Sequence, residues 1–199
     1  MDLKNSQTKE NLMRAFAGES QARNRYTLAA GQAKKLDHHV IEKVFDYTAQ
    51  QEKEHAEVFY KFLKEANGEN IEIDGSYPVD NYEDVYQLLR SAEHNEKEEH
   101  DVVYRAFGDK ALEEGFTRIG RVFHEIGKVE ETHAKRFARF AELWEQNKLY
   151  CSDQEEKWIC LNCGFVYEGK EAPKQCPVCE HSQGYFVRAC LAPFGNGVY

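Results

Sequence analysis

Cysteine and proline are almost absent from most of this chain. The 199-residue sequence has six cysteines, all between positions 151 and 190, and of its four prolines only Pro78 precedes Pro173. A cysteine-free segment of that length must fold around an apolar core, whereas residues 151–199 are too few for one and need a metal or disulfides. The distribution therefore predicts two domains of different construction.

Long hydrophobic runs and excess positive charge are also missing. No window approaches the roughly 18 consecutive apolar residues of a membrane-spanning helix, and the first residues contain no apolar stretch typical of a secretory signal. The chain carries 26 Lys and Arg against 35 Asp and Glu, a net charge of −9, which disfavours contact with nucleic-acid phosphates. We therefore expect a cytoplasmic protein that binds neither nucleic acid nor a membrane.

Apolar residues recur at spacings of three and four in four long segments, the pattern of amphipathic helices that pack at shallow angles. After the second segment, a polar stretch through Pro78 is long enough to cross the length of a bundle. Four helices with one long crossover match a ferritin-like bundle. We predict a mainly α protein with this bundle over residues 1–148, a linker over 149–156, and a small β-ribbon domain over 157–199.

Each of the four helical stripes includes a glutamate among its apolar residues. Two of these glutamates begin Glu-x-x-His motifs, whose spacing places both side chains on one helix face. The candidate metal ligands are Glu19, Glu52, His55, Glu93, Glu96, Glu130 and His133. Five carboxylates that face each other in a core repel and lose hydration unless they are protonated or neutralised by cations, and carboxylate and imidazole ligands suit iron or manganese. The alternative is that these glutamates are solvated and their helical phase is misassigned.

The cysteines form a second candidate site. Cys160 and Cys163 make one Cys-x2-Cys pair, and Cys176 and Cys179 make another twelve residues further on. This spacing is a strong signal for a tetrahedral four-thiolate metal site, and without a secretory signal it favours a metal over disulfides. Zinc would make the domain a structural ribbon, and iron would make it a one-electron carrier.

Together these motifs resemble those of the rubrerythrin family over nearly the whole chain. The matching segments are AFAGESQARNRY around Glu19, the two Glu-x-x-His motifs, a Glu-x-x-Glu formed by Glu93 and Glu96, and the closely spaced cysteine pairs. The resemblance implies a ferritin-like di-iron domain followed by a rubredoxin-like domain with iron, or zinc as a substitute, in the cysteine cage. It also implies a peroxidase that reduces hydrogen peroxide to water in defence against oxidative stress, with electrons relayed through the rubredoxin-type iron.

The resemblance assigns a role to each ligand of the di-iron centre. It implies that Glu52 and Glu130 bridge the two irons. Glu19 then binds one iron, while Glu93 and His133 bind the other.

The resemblance has further implications for the site and for the assembly. One iron exchanges Glu96 for His55 as its ligand on reduction, and Tyr26 donates a hydrogen bond to the site. As a departure from the family pattern, the chain is about three residues longer between Glu96 and Glu113, which leaves the equivalence of Tyr104 to the family's second tyrosine open and which a bulge in the third helix would accommodate. The family also implies an external electron donor, such as an NAD(P)H-dependent reductase or a rubredoxin, and a head-to-tail homodimer.

Two other functions compete with the peroxidase. A ferritin-like di-iron protein can bind and oxidise ferrous iron for storage or detoxification. A zinc ribbon fused to a helical scaffold can serve to recruit a partner without any catalysis.

Overall fold

The structure is a computed structural model that describes residues 2–193. Its helices are α1 (Gln7–Lys35), α2 (His39–Phe62), α3 (Val85–Glu98), α4 (Tyr104–Glu113) and α5 (Thr117–Glu145), with a π-helical turn at Glu99–Val103. Its strands are β1 (Cys151–Cys160), β2 (Val166–Glu171) and β3 (Phe186–Arg188). Short 3-10 turns occupy Leu3–Asn5, Leu63–Ala66, Gln183–Tyr185 and Ala189–Leu191. Among the described residues, no helix combines the length and apolar character needed to cross a membrane.

The helices form the predicted four-membered bundle, since α3, the π turn and α4 follow one another without a break. Helix α1 packs chiefly against α2, and both α3 and α4 pack against α5. The crossover segment, residues 67–84, joins the two pairs and contains no helix or strand. Ser6 is the N-cap of α1 and Asp84 is the N-cap of α3, because each side chain accepts a hydrogen bond from a backbone N–H group of the first turn.

Two apolar layers fill the bundle and leave a polar level between them. Phe45 and Phe137 belong to one layer, while Phe59 and Phe123 belong to the other. On α2 and on α5 these phenylalanines lie seven residues to either side of a buried glutamate. The heptad spacing therefore brings the glutamates to one level in the middle of the core.

The third helix contains a π-helical bulge. The turn at Glu99–Val103 is π-helical, and it separates α3 from α4 within one continuous helical run. A π turn inserts one residue and rotates every later side chain around the axis. Tyr104, the first residue after it, consequently faces the core and is 2% exposed.

The C-terminal domain is a three-stranded antiparallel sheet in the order β2-β1-β3. Strand β1 begins at Cys151, so most of the segment predicted as a linker, residues 149–156, is part of this sheet. Its register with β2 is irregular between Cys151 and Glu156. Trp158 and Phe186 form the small core together with two of the cysteines. The last six residues of the predicted domain, 194–199, lie outside the described residues.

This domain packs against the end of the bundle at which α1 turns into α2. Ile159 and Val187 join the apolar layer of the bundle, and the rings of His39 and Tyr185 stack with centroids 3.9 Å apart. A Cβ on Gly184 would lie 1.8 Å from the carbonyl oxygen of Asp37. Only glycine therefore allows the domain to approach the α1–α2 turn this closely.

We expect Gly184→Ala to weaken the contact between domain and bundle. The added methyl group overlaps the Asp37 carbonyl, and overpacking of this kind costs about 1–3 kcal/mol. Urea denaturation should show the loss of stability, and limited proteolysis should show faster cleavage near residue 150. Gly31→Ala is the matched control, because a Cβ on Gly31 meets nothing within 4 Å. Wild-type behaviour of Gly184→Ala would contradict the described contact.

Candidate metal centre

Six side chains from four helices converge at the polar level of the bundle, and we call them the acidic cluster. They are Glu19 of α1, Glu52 and His55 of α2, Glu96 of α3, and Glu130 and His133 of α5. Their oxygen and nitrogen atoms form two groups, and within each group the atoms lie within 4.8 Å of one another. Both groups contain Glu52 and Glu130. Overlapping ligand sets that share two carboxylates suit two adjacent metal ions.

Each imidazole lies against the two shared carboxylates from its own side. His55 Nδ1 is 3.2 Å from Glu52 Oε2 and 3.0 Å from Glu130 Oε1. His133 Nδ1 is 3.0 Å from Glu52 Oε1 and 2.8 Å from Glu130 Oε2. One oxygen of each shared carboxylate therefore faces each half of the cluster, as a carboxylate that bridges two ions requires.

The other two glutamates complete the two halves. Glu19 Oε2 lies 3.8 Å from His55 Nδ1, and Glu96 Oε2 lies 3.4 Å from His133 Nδ1. The second oxygen of each accepts a hydrogen bond from a buried tyrosine, which is Tyr104 for Glu19 and Tyr26 for Glu96. These hydroxyls fix the carboxylates so that the remaining oxygen points toward the shared pair.

Burial and mutual repulsion shift the ionisation of the cluster. Burial, with the charges of neighbouring carboxylates, raises the pKa of Glu19 well above its usual range and that of Glu96 to about 8. Burial alone would lower the pKa of His133, but the nearby carboxylates of Glu130 and Glu52 raise it to about 12. Burial raises the pKa of Tyr26 and Tyr104 well above normal, so both remain hydrogen-bond donors. Without cations, the cluster must therefore retain several protons.

The donor atoms of the cluster fit metal ions. Oxygens of all four glutamates, including both oxygens of Glu130, are buried without a hydrogen-bond partner among residues 2–193. Buried polar atoms are ordinarily hydrogen-bonded, so this concentration of unpaired oxygens at one point requires a different partner. Carboxylate oxygens with one imidazole for each half are ligands that suit iron or manganese.

The four paired cysteines form a separate cage in the C-terminal domain. Cys160 and Cys179 have their sulfurs 3.7 Å apart, and the sulfurs of Cys163 and Cys176 are 3.6 Å apart. A tetrahedral site with metal–sulfur bonds of about 2.3 Å has edges of about 3.8 Å. The described geometry therefore suits a single four-coordinate ion.

The turns after each cysteine pair have the same form. Gly164 and Glu180 directly follow the second cysteine of a pair, and both have positive φ, of 78° and 60°. Their N–H groups donate to the carbonyl oxygens of Cys160 and Cys176, at 2.8 Å and 2.9 Å. Both turns thus curl back on the first cysteine of their pair and bring its sulfur close to the second. Cys151 and Cys190 are free and lie outside the cage.

Glu93, which the resemblance made an iron ligand, lies outside the acidic cluster. Arg90 Nη1 donates to its carboxylate at 2.8 Å, and Lys97 donates to its other oxygen. These cations lower the pKa of Glu93 in spite of partial burial. The glutamate is therefore an ionised partner of two basic side chains. His100 is also outside the cluster, since its Nδ1 lies 2.8 Å from the carbonyl oxygen of Gly127.

Sequence reasoning missed Glu99 and did not assign Tyr104. Burial and the charges of Glu19, Glu96 and other cluster carboxylates raise the pKa of Glu99 well above its usual range. Glu96 and Glu99 have the same Glu-x-x-Glu spacing as Glu93 and Glu96, so the sequence offered two registers for one motif. The π turn favours the later register, because it places both Glu99 and Tyr104 beside the cluster.

Comparison with known proteins agrees with both sites. Residues 10–141 match the family described as Rubrerythrin, and residues 158–187 match its rubredoxin-like domain. The rubrerythrin of Clostridium perfringens is 45% identical over 92% of this chain and 95% of its own length. A nigerythrin in its fully reduced, all-ferrous state has a TM-score of 0.62 at 28% identity, over 92% of this chain and 90% of that one.

A more distant likeness supports the architecture of the bundle alone. A bacterioferritin of Desulfovibrio desulfuricans has a TM-score of 0.64 at 22% identity, over 71% of this chain and 81% of that one. Fold and sites together define a two-domain protein with a di-iron carboxylate centre in a ferritin-like bundle and a four-cysteine rubredoxin-like site. The chain belongs to the rubrerythrin family.

We expect divalent metal to bind the acidic cluster more tightly as the pH rises. Glu19 and Glu96 have raised pKa values and His133 is protonated, so metal binding must displace protons. The affinity should rise about tenfold per pH unit for each proton displaced, between about pH 6 and about pH 8. Titration of a Cys176→Ser apoprotein with Co²⁺ keeps the cysteine cage from contributing. An affinity independent of pH would contradict the described ionisation.

Glu93 and Glu99 provide a direct test of the register of the third helix. We expect Glu99→Gln to lower the iron content of the bundle, because it removes a carboxylate beside the cluster. Glu93→Gln should keep the wild-type iron content, since Glu93 contacts Arg90 and Lys97 instead. Total iron analysis, corrected for cysteine-bound iron by its visible absorption, separates the two outcomes. Loss of iron in Glu93→Gln alone would support the earlier register.

Proposed function

We propose that this protein is a peroxidase that reduces hydrogen peroxide to water and receives its electrons through the rubredoxin-like domain. The observation that carries the proposal is the overlap of two ligand sets at Glu52 and Glu130, which suits two irons side by side. When bound, two ferrous ions supply the two electrons that cleavage of one O–O bond consumes, and with two protons the products are two waters. A single metal site would supply only half of these electrons.

The residues of the cluster divide into bridging, terminal and positioning groups. Glu52 and Glu130 would bridge two ions, since one oxygen of each faces each half of the cluster. Glu19 and His55 would hold one ion, and Glu96 and His133 would hold the other. Tyr26 and Tyr104 position the carboxylates of Glu96 and Glu19 by donating hydrogen bonds to them.

The register of the third helix determines which glutamate would alternate with His55 as a metal ligand. Glu96 lies in the half of the cluster that contains His133, and His55 lies in the half that contains Glu19. Of the neighbouring carboxylates, Glu19 has the largest effect on the pKa of Glu99. On this register Glu99 would be the residue that alternates with His55, and Glu96 would take the role that the resemblance gave to Glu93.

Electron supply argues for an assembly of two chains. The C-terminal domain contacts the bundle at Asp37 and His39, and α2 runs about 20 Å from His39 to Glu52 at 1.5 Å per residue. The cysteine cage is therefore remote from the acidic cluster of its own chain. We propose a head-to-tail homodimer in which each cage faces the cluster of the partner, with an NAD(P)H-dependent reductase or a rubredoxin as external donor.

The peroxidase and the iron-handling alternative differ in their oxidant. After anaerobic reduction of the iron-loaded protein, we expect hydrogen peroxide to oxidise the bundle irons at least about tenfold faster than dioxygen, a difference of about 1.4 kcal/mol in activation free energy. Stopped-flow absorption measures both rates. Faster oxidation by dioxygen, with mineral formed under excess ferrous iron, would favour iron handling, and zinc in the cysteine cage of natively expressed protein would remove the electron relay.

Two variants separate the two metal sites in the same assay. Glu52→Ala should abolish iron binding in the bundle and peroxidase turnover, yet preserve the visible spectrum of the cysteine-bound iron. Cys176→Ser should have the opposite effect, so that reduced bundle iron still reacts once with peroxide but steady turnover stops. Peroxidase turnover by Glu52→Ala would contradict the assignment of the site.

A further inference from the structure

A cavity of about 230 Å³ lies beside the acidic cluster, between α1, the crossover segment and the third helix. We call it the crossover cavity. Glu99 and Tyr104 are part of its wall, and both lie next to the cluster. Tyr104 donates a hydrogen bond to Glu19, and the charge of Glu19 helps to raise the pKa of Glu99. Because a water molecule occupies about 30 Å³, the cavity has room for a few small molecules.

Two ion pairs hold the crossover segment over this cavity. Arg14 Nη2 lies 2.6 Å from Asp74 Oδ1, and its Nε donates to the same residue. Further along, Arg25 Nη1 lies 2.6 Å from Asp80 Oδ2, which also accepts a hydrogen bond from Asn95 at 2.7 Å. These contacts tie the segment to α1 at two points and to α3 at one. The residues between the ties form the roof of the cavity.

Tyr77 and Gly18 set the width of the cavity. Both line it, Tyr77 from the roof and Gly18 from α1. A Cβ on Gly18 would lie 4.0 Å from the Tyr77 ring, so an alanine would just touch it and a longer side chain would fill the space. Glycine is an unfavourable residue within a helix, and here its missing side chain leaves room next to Glu19.

The charges around the cavity favour a neutral occupant. Arg14 and Arg25 are the basic residues of its wall, and both are paired with aspartates. The described residues of the wall therefore include no unpaired cation for an anion to bind, and Asp74, Glu98 and Glu99 add acidic groups to it. The polar side chains of the cavity wall can form hydrogen bonds with a small uncharged molecule.

We propose that the crossover cavity is the binding and entry site for a small neutral hydroperoxide on its way to the di-iron centre, with Tyr77 and Gly18 as the residues that limit substrate size. The identity of the substrate rests on the proposed function. The route rests only on the position of the cavity between the crossover segment and Glu99. Access can therefore be measured with a probe that needs no peroxide chemistry.

The test compares Gly18→Leu with Gly31→Leu in iron-loaded, fully reduced protein. Both substitutions replace a glycine of α1 by leucine and gain the same helix propensity, but Gly31 is exposed and a Cβ there would meet no described atom within 4 Å. Nitric oxide serves as the neutral probe, because it binds ferrous iron directly. We expect Gly18→Leu to slow nitric oxide binding and oxidation by hydrogen peroxide by at least about tenfold, with iron content unchanged. Gly31→Leu should match the wild type.

A second variant tests the roof by enlarging the cavity. Tyr77→Ala should increase the rate with tert-butyl hydroperoxide relative to that with hydrogen peroxide, because the bulkier molecule then fits. Unchanged nitric oxide binding in Gly18→Leu, or an unchanged ratio in Tyr77→Ala, would overturn the proposed route. If Gly18→Leu slows nitric oxide but the wild type does not react with peroxide, the route stands and the proposed function fails.

Discussion

The structure depends on the placement of carboxylates in the middle of an apolar core. Glu19, Glu52, Glu96 and Glu130 are each at most 1% exposed, and the uncompensated burial of one ion costs several kcal/mol. Protons can reduce that cost only by removing the charge, whereas two divalent cations remove the repulsion and satisfy the unpaired oxygens together. The bundle is therefore built as a ligand for metal, and its stability and its chemistry have the same origin.

Much of this site could be predicted because heptad spacing ties chemistry to position. Glu52 and Glu130 stand midway between phenylalanines on their own helices, so a sequence pattern alone places them in the core. Each Glu-x-x-His motif then fixes a histidine on the same face. The cysteine cage could be predicted equally well, because two closely spaced Cys-x2-Cys pairs are compatible with few other geometries.

The third helix could not be predicted in the same way. Glu93 and Glu96 lie three residues apart, and so do Glu96 and Glu99, so spacing alone favours neither pair. The buried face of α3 runs through Leu89, Ala92 and Glu96 and leaves Glu93 at its edge, and the π turn changes the helical phase only after Glu98. Arg90 and Lys97, which form ion pairs with Glu93, lie one helical turn to either side of Glu93 on the surface of the bundle. Sequence patterns carry little information about such surface pairs. The start of β1 at Cys151 escaped prediction for a similar reason, since its first residues are polar and pair irregularly.

The single extra residue of the π turn has a consequence for the symmetry of the centre. Tyr26 follows Glu19 by seven residues in the first half of the chain, and Tyr104 follows Glu96 by eight in the second. Each tyrosine reaches across to the glutamate of the other half, so the two halves are near copies apart from that residue. The insertion brings Glu99 to one half without a counterpart in the other. A twofold arrangement that would make two metal positions interchangeable is thereby broken, and the two halves of the centre offer different sets of ligands to metal.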